Sequence, residues 1–112
     1  MMDDRLPTKL LVGAQILQAA TQNVPITVLH SGDPHSGMIV LKINLMNGQA
    51  HVLVQMRQNE ELVWSPAGAA GQLPEAEADA LLERQLRFDP DVWLLEIEDK
   101  QGRHWFPGRR LT

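Results

Sequence analysis

The stretch ERQLRFDPDVWLLEIEDKQGR, residues 83–103, decides the fold because a helical pattern stops inside it and a strand pattern starts at once. Pro90 disfavours helical geometry at Asp89, so the preceding helix ends there. From Val92 to Glu98 the side chains alternate between two faces, as in a half-buried strand. The stretch is dense in charged and aromatic residues, but no spacing within it dictates a reaction.

Two helices are predicted, one before and one after a run of strands in the sequence. Residues 74–87 begin with Pro74, which suits a first helical turn, and bury a stripe made of Ala78, Leu82 and Leu86, flanked by Leu81. Residues 6–23 form the other helix. Its three- and four-residue spacing predicts a buried stripe of Leu10, Ala14, Leu17 and Thr21, with Gly13 and Ala20 beside it.

Strands are predicted at residues 26–29, 38–45, 49–57, 61–64 and 92–98. Asn47-Gly48 is the strongest short hairpin signal in the chain. As a two-residue turn it fixes the register, in which the intervening pairs are mixed and the alternate pairs are apolar: Leu45 with Ala50, Ile43 with Val52, Leu41 with Val54, and Ile39 with Met56.

The order of these elements, α-β-β-β-(β)-α-β, predicts an α+β domain. We expect an antiparallel sheet of four to five strands with two helices packed on one face. The chain has 112 residues, the usual size of one domain, so residues 1–112 form a single globular unit. Residues 107–112 follow the last expected extended segment and are predicted to form a loose tail.

The composition limits which cellular compartment and which classes of partner are expected. The chain has no cysteine, which excludes disulfides and thiolate metal sites and fits the cytoplasm. We find no signal peptide and no apolar run of the roughly 20 residues that would span a bilayer, so no membrane association is expected. The net charge of −4 argues against nucleic acid as a partner.

Acidic side chains offer the most direct ligand sites. Asp89 and Asp91 flank Pro90 and could present two carboxylates to a cation or polar ligand, although a helix stop explains them equally. Glu96 and Glu98 lie on one face of the last strand, about 7 Å apart by strand geometry. They could act as a paired acid and base, or they could simply form a solvated strand face.

Two other groups have both a functional and a structural interpretation. His30, Asp33 and His35 share one loop and could converge on a metal, but their spacing matches no defined metal motif and an exposed loop accounts for them. Arg103, Arg109 and Arg110 interleave with aromatic residues, a pattern that suits either nucleic acid or a short cationic tail.

The outward face of the predicted hairpin suggests a protein contact. Met38, Val40 and Leu53 would share it with polar residues that include Lys42 and Arg57, a mixture common at interfaces. A helix covering the same face is the alternative.

Residues 83–103, where the helix ends and the strand begins, also resemble a known family. The matching residues are Glu83-Arg84, Arg87-Phe88-Asp89-Pro90-Asp91, Trp93, Glu96-Ile97-Glu98-Asp99 and Gly102-Arg103, with weaker matches at Arg5-Leu6-Pro7-Thr8, Gly32-Asp33, Gly37 and Lys42. In these residues the chain resembles the small alphaproteobacterial protein family catalogued as domain of unknown function 1491. The resemblance extends over nearly the whole chain and implies no reaction, cofactor or partner.

These observations favour a non-enzymatic interaction or regulatory module of the cytoplasm that binds a protein partner or a second copy of itself. The alternative is a small-ligand or metal-dependent enzyme using Asp89, Asp91, Glu96 and Asp33. No catalytic residue, metal ligand or cofactor is assigned. The candidate ligand-binding residues are Asp33, Lys42, Asp89, Asp91 and Glu96, and the candidate contact residues are Met38, Val40, Lys42, Leu53 and Arg57.

Overall fold

The structure is a computed structural model that describes residues 6–68 and 71–111. Residues 1–5 and Thr112 of the predicted domain, and Ala69 and Ala70 of the connection before the second helix, lie outside the described residues. The elements run in the order α1 (Thr8–Ala20), β1 (Ile26–His30), β2 (Ile39–Asn44), β3 (Gln49–Gln58), β4 (Glu61–Pro66), β5 (Leu73–Pro74), α2 (Glu75–Phe88), β6 (Trp93–Glu98) and β7 (Arg109–Arg110).

The α+β class is confirmed, but the sheet is mixed where an antiparallel one was predicted. Its strand order is β1-β6-β2-β3-β4-β7, and the short β5 pairs with β3. The last long strand, β6, lies between β1 and β2, antiparallel to the first and parallel to the second. This central place is physically suited to β6, because its side chains are apolar on both faces over most of its length.

The prediction that both helices lie on one sheet face is wrong. Val12 and Ala19 of α1 belong to a core cluster with Leu41 and Leu95, whereas Ala78 and Leu82 of α2 belong to another cluster containing the strand residues Val40, Ala50, Val52 and Leu94. Successive strand residues therefore face different helices. The domain has three layers, with the sheet in the middle.

The predicted buried stripe of α1 is also wrong. Val12 and Ala19 are buried, and Leu11 and Ile16 are half-buried, whereas Leu10 and Leu17 point into solvent. Apolar side chains surround most of this helix, so its sequence offers two stripes and periodicity does not choose between them. The helix is held in its orientation at its start, where the Thr8 hydroxyl donates a 2.9 Å hydrogen bond to the oxygen of Gly37.

The hairpin of β2 and β3 exists, but its predicted register is wrong by one residue. Leu41 pairs with Leu53, and Asn44 pairs with Ala50. The turn is wider than the two residues expected, because Asn44 Oδ1 accepts a 2.8 Å hydrogen bond from the N–H of Met46 and Asn47 Oδ1 accepts one of 3.0 Å from the N–H of Gln49. The hydrogen bonds of the two asparagine side chains favour this wider turn over the two-residue turn that Asn-Gly usually forms. The slip places Leu53 and Val40 on opposite sheet faces.

The C-terminal segment that was predicted to be loose is attached to the sheet over its described part. β7 pairs in parallel with β4, and the N–H of Leu111 donates a 2.8 Å hydrogen bond to the oxygen of Trp64. The indole Nε1 of Trp64 donates a 2.9 Å bond to the oxygen of Pro107. Phe106 is buried in the core cluster on the α1 side, so this segment completes that core.

Candidate functional site

Two of the predicted ligand-binding residues, Lys42 and Glu96, meet between the sheet and α2. They are direct neighbours in the register of β2 and β6, and the Nζ of Lys42 is 3.4 Å from Glu96 Oε2. The first turns of α2 add Glu75 Oε2 at 2.8 Å and Asp79 Oδ1 at 2.6 Å from the same ammonium. Lys42 is only 3% exposed, whereas Glu75 and Asp79 are 42% and 54% exposed, so a buried ammonium is paired with carboxylates that reach solvent.

The ionic cluster of these four residues surrounds a single ammonium with three carboxylates. Burial lowers the pKa of Lys42, but the hydrogen bonds to Asp79 and Glu75 and the charge of Glu96 outweigh it, and the net pKa is raised. Asn44 Nδ2 donates to Glu75 at 3.1 Å and to Glu96 at 3.0 Å. The ammonium thus stays protonated and is unsuited to act as a base or nucleophile. Its contacts attach α2 to the sheet.

The other predicted acidic residues form a separate group at the joint between α2 and β6. The N–H of Asp33 donates a 2.9 Å hydrogen bond to the oxygen of Asp91, and Asp89 Oδ1 accepts a 3.0 Å bond from the N–H of Asp91. Asp33 Oδ1 accepts bonds from the N–H groups of Ser36 at 2.9 Å and His35 at 2.8 Å, which lower its pKa. Backbone donors therefore occupy one carboxylate oxygen of Asp33 and one of Asp89.

The structure separates the two histidines of the loop that was considered for a metal. His30 Nδ1 lies 2.9 Å from the oxygen of Val92, where the ring links β1 to the start of β6. His35 is exposed beside α1. Over residues 6–68 and 71–111, no group of three or more histidine, aspartate or glutamate side chains is arranged to hold a metal ion.

The arginines near the C-terminus bind within the domain. Arg103 makes two hydrogen bonds to Asp99, of 2.9 and 3.0 Å, which lower the pKa of that carboxyl. Arg109 Nε donates a 3.0 Å bond to Glu61 Oε1, and Arg110 Nη1 donates a 2.8 Å bond to the oxygen of Gly102. The contacts of Arg109 and Arg110 hold the last segment against the domain, whereas the Arg103–Asp99 pair is local to the turn after β6.

The five candidate contact residues of the hairpin do not share one exposed surface. Val40 and Lys42 lie beneath α2, and Leu53 lies in the core on the α1 side. Met38 and Arg57 are exposed. A helix covers each side of the hairpin, which was the alternative considered for its outward face.

An exposed apolar surface lies instead on α1. Leu10 is 61% exposed and Leu17 is 72% exposed, and Leu6, just before the helix, is 56% exposed. Gly13 and Ala14 lie between the two helical leucines and are also exposed. We call these five residues the outer face of α1. The spacing of Leu10, Ala14 and Leu17 is visible in the sequence, where it predicts a buried stripe.

A groove of about 700 Å³ adjoins the outer face at Leu6. It runs between the start of α1 and the strands β3 and β4, with Leu11, Met38, Leu62 and Pro107 among its lining residues. The ladder between β2 and β3 ends here, and Gln55 Oε1 accepts a 3.0 Å hydrogen bond from the N–H of Ile39. The groove extends the apolar surface from α1 onto the sheet.

Neither helix within the described ranges is long and apolar enough to cross a membrane.

Comparison with known proteins bears on the whole chain. Residues 6–107 match the family described as "Protein of unknown function (DUF1491)". The crystal structure of a DUF1491 family protein from Caulobacter crescentus CB15 is 30% identical, with a TM-score of 0.86 over 96% of this chain and 100% of that chain. An NMR structure of a DUF1491 family protein from the same organism is 31% identical, with a TM-score of 0.82 over 96% and 97% of the two chains.

A third solved structure is similar over most of its length. The solution structure of a protein from A. tumefaciens is 27% identical, with a TM-score of 0.71 over 84% of this chain and 86% of that chain. No curated protein matches the chain. The matches confirm the resemblance first inferred from the break at residues 83–103, and the chain belongs to the DUF1491 family.

Proposed function

We propose that this protein is a non-enzymatic interaction module of the cytoplasm and that the outer face of α1 is its contact surface. The observation that carries the proposal is the exposure of Leu10 and Leu17, at 61% and 72%, on the same side of one helix. Contiguous exposed apolar side chains on a small domain mark contact sites more often than scattered ones do. The absence of cysteine from the chain supports the cytoplasmic assignment.

The charge of α1 supports the same proposal. Lys9 is the only charged residue of the helix, which has no acidic residue in its first turn and no basic residue in its last. α2 is different, with acidic residues at Glu75 and Glu77 and Arg87 in its last turn. An apolar and nearly uncharged helix face is suited to burial against another protein, because few charges lose their hydration.

The alternative of an acid-dependent enzyme has less support from the geometry. Asp33 and Asp89 each use a side-chain oxygen to accept backbone N–H groups, and Glu96 is bonded to Asn44 beside Lys42. Each carboxylate therefore has a structural partner that accounts for its position. We favour the interaction module for this reason.

Photo-crosslinking tests the proposal directly. We would introduce p-benzoylphenylalanine at Leu10 and, as a matched control, at Glu83, an exposed position of α2 on the other side of the sheet. Irradiation of the native cells should give a discrete adduct for Leu10 alone. The adduct should disappear when Leu17→Glu is added. No adduct at Leu10, or equal adducts at both positions, would refute the proposed surface.

A further inference from the structure

We propose that the partner of the outer face of α1 is a second copy of this chain. This inference rests on the proposed function and adds the identity and geometry of the partner. Two α1 helices cross in antiparallel orientation, with a two-fold axis passing near Gly13 and Ala14. Leu10 of each copy then lies beside Leu17 of the other.

The spacing along the helix is self-complementary, as a two-fold contact requires. Leu10 and Leu17 are the same number of residues from the midpoint between Gly13 and Ala14. In an isologous contact, residue i of one copy meets residue j of the other, and j meets i. A two-fold rotation about an axis through that midpoint places Leu10 of one copy beside Leu17 of the other.

The small residues permit close approach at the centre. A Cβ added to Gly13 would meet nothing within 4 Å, so the space above this glycine is open within the described structure. Where two helices cross at small side chains, the distance between their axes is near the lower limit of the usual range of roughly 8–10 Å. The flanking leucines can then reach the partner helix on both sides of the crossing.

The charge distribution is compatible with a second copy and favours the antiparallel direction. The chain carries a net charge of −4, but four acidic side chains lie on α2, on the opposite sheet face from the proposed contact: Glu75, Glu77, Asp79 and Glu83. In an antiparallel pair the two copies of Lys9 lie at opposite ends of the contact. A parallel pair would place them side by side and align the two helix dipoles unfavourably.

The size of the contact indicates a weak dimer. A helix of 13 residues is about 20 Å long, so a crossed pair lies at or below the lower limit of specific interfaces, roughly 1,200 Å² of total buried area. We expect a monomer–dimer equilibrium with a dissociation constant on the order of 10–100 μM.

The absence of cysteine makes disulfide trapping specific. Ala14→Cys places a thiol near the axis, and Ala80→Cys is a matched control at an exposed alanine of α2. Under mild oxidation at about 100 μM protein, Ala14→Cys should form linked dimers at least tenfold faster than Ala80→Cys. A mixture of Leu10→Cys and Leu17→Cys should cross-link faster than either variant alone, because the antiparallel geometry pairs these two positions.

Analytical ultracentrifugation provides a second measurement that does not depend on introduced thiols. The wild-type chain should increase in mean mass with concentration, and Leu17→Glu should remain a monomer. A wild-type chain that stays monomeric to about 1 mM, with Ala14→Cys no faster than Ala80→Cys, would overturn the second-copy proposal. Preferential cross-linking of Leu10→Cys to itself would overturn the antiparallel geometry.

The failure of this inference is distinguishable from failure of the proposed function. A photo-adduct at Leu10 with the mass of two identical chains supports both proposals. An adduct with a different protein, together with a monomeric purified chain, refutes the second copy and retains the contact surface. The absence of any adduct at Leu10, in a chain that is also monomeric, refutes both.

Discussion

The indole Nε1 of Trp93 donates a 2.7 Å hydrogen bond to the backbone oxygen of Asp33, a residue 60 positions earlier in the chain. The same oxygen accepts a 3.1 Å bond from the N–H of Gly37. Trp93 is the first residue of β6, so this bond fixes the start of the central strand to the loop after β1. The loop in turn holds the first residues of α1 through the oxygens of Pro34 and His35.

Replacing Trp93 with phenylalanine should therefore weaken the domain. The substitution keeps an aromatic ring but removes the N–H donor and leaves a small void. We expect the free energy of unfolding to fall by about 1–2 kcal/mol. Urea unfolding followed by far-ultraviolet circular dichroism measures this change. An unchanged midpoint would show that the Trp93–Asp33 bond contributes no net stability.

Gly32→Ala and Gly13→Ala should change stability in opposite directions. A Cβ on Gly32 would overlap the backbone oxygen of Asp91 and lie 2.6 Å from the carbonyl carbon of Val92, and backbone atoms cannot easily move. We expect a loss of at least about 2 kcal/mol. Gly13 is helical and open, so alanine there should add about 0.5–1 kcal/mol. Thermal unfolding of both variants at low protein concentration provides the comparison.

The orientation of α1 is tested by Val12→Ala and Leu17→Ala. Val12 is buried against the sheet, and its truncation should lower the free energy of unfolding by about 2 kcal/mol. Leu17 is exposed, and its truncation should change the unfolding free energy of the dilute monomer by less than about 0.5 kcal/mol. The reverse order would mean that the helix is rotated. Urea unfolding at about 1 μM protein keeps the proposed dimer out of the measurement.

Lys42→Met should destabilise the contact between α2 and the sheet. The variant fills a similar volume but leaves Glu75, Asp79 and Glu96 close together without a cation. We expect a loss of about 1–2 kcal/mol, because the carboxylates lose their cation but solvent screens the partly exposed Glu75 and Asp79. Glu77→Gln, an exposed change in the first turn of the same helix, should cost less than about 0.5 kcal/mol.

The same cluster allows a rescue experiment. Adding Glu75→Gln and Asp79→Asn to Lys42→Met removes two of the three negative charges and should restore part of the lost stability. Glu75→Gln and Asp79→Asn should also cause a loss of stability in a chain that keeps Lys42. If they cause the same loss when added to Lys42→Met, the carboxylates do not interact with Lys42. Urea unfolding of the single, double and triple variants decides the point.

His104 should make the domain less stable in mild acid. Burial, and then the positive charge of Arg110, lower the pKa of its ring from 6.5 to about 4. Between these values the unfolded chain takes up a proton that the folded chain does not, so stability is full above pH 6.5 and falls as the pH drops toward 4. We expect a loss of about 2 kcal/mol over this range, allowing for partial exposure of the ring.

A variant isolates this contribution from those of the carboxylates. The N–H of Phe106 donates a 3.1 Å hydrogen bond to His104 Nδ1, and the side-chain oxygen of asparagine can accept the same bond. His104→Asn should therefore show a shallower decline of unfolding free energy between pH 6.5 and 4 than the wild type. Parallel curves for the two proteins would exclude His104 as the source.

Local features of the fold were predictable from the sequence because their causes are local. The stop at Asp89-Pro90 and the alternation of β6 follow from steric and periodic rules, and both elements lie within one residue of the expected bounds. The place of β6 in the sheet was not predictable in this way. Strand order depends on pairings such as Ile39 with Trp93, which periodicity does not encode.

The candidate site was likewise predictable from the sequence only in part. Asp33 and Asp91 were predicted to bind a ligand, and the structure shows a backbone hydrogen bond between them. Lys42 was expected on the outward face of the hairpin because the predicted register and the alternation of the strand place it there. A signal for its burial was present in the four-residue spacing of Glu75 and Asp79, which places both carboxylates on one side of α2. Choosing Lys42 as their partner required the layer arrangement.

The central position of β6 also has a consequence for the order in which the domain can fold during synthesis. β6 is the sheet neighbour of β1 and separates it from β2, yet it is the last long strand to leave the ribosome. Until it emerges, β1 lacks its partner and β2 has an unpaired edge. The nascent chain therefore exposes unpaired strand edges while residues 45–98 are being synthesised, a state in which pairing with other chains competes with folding.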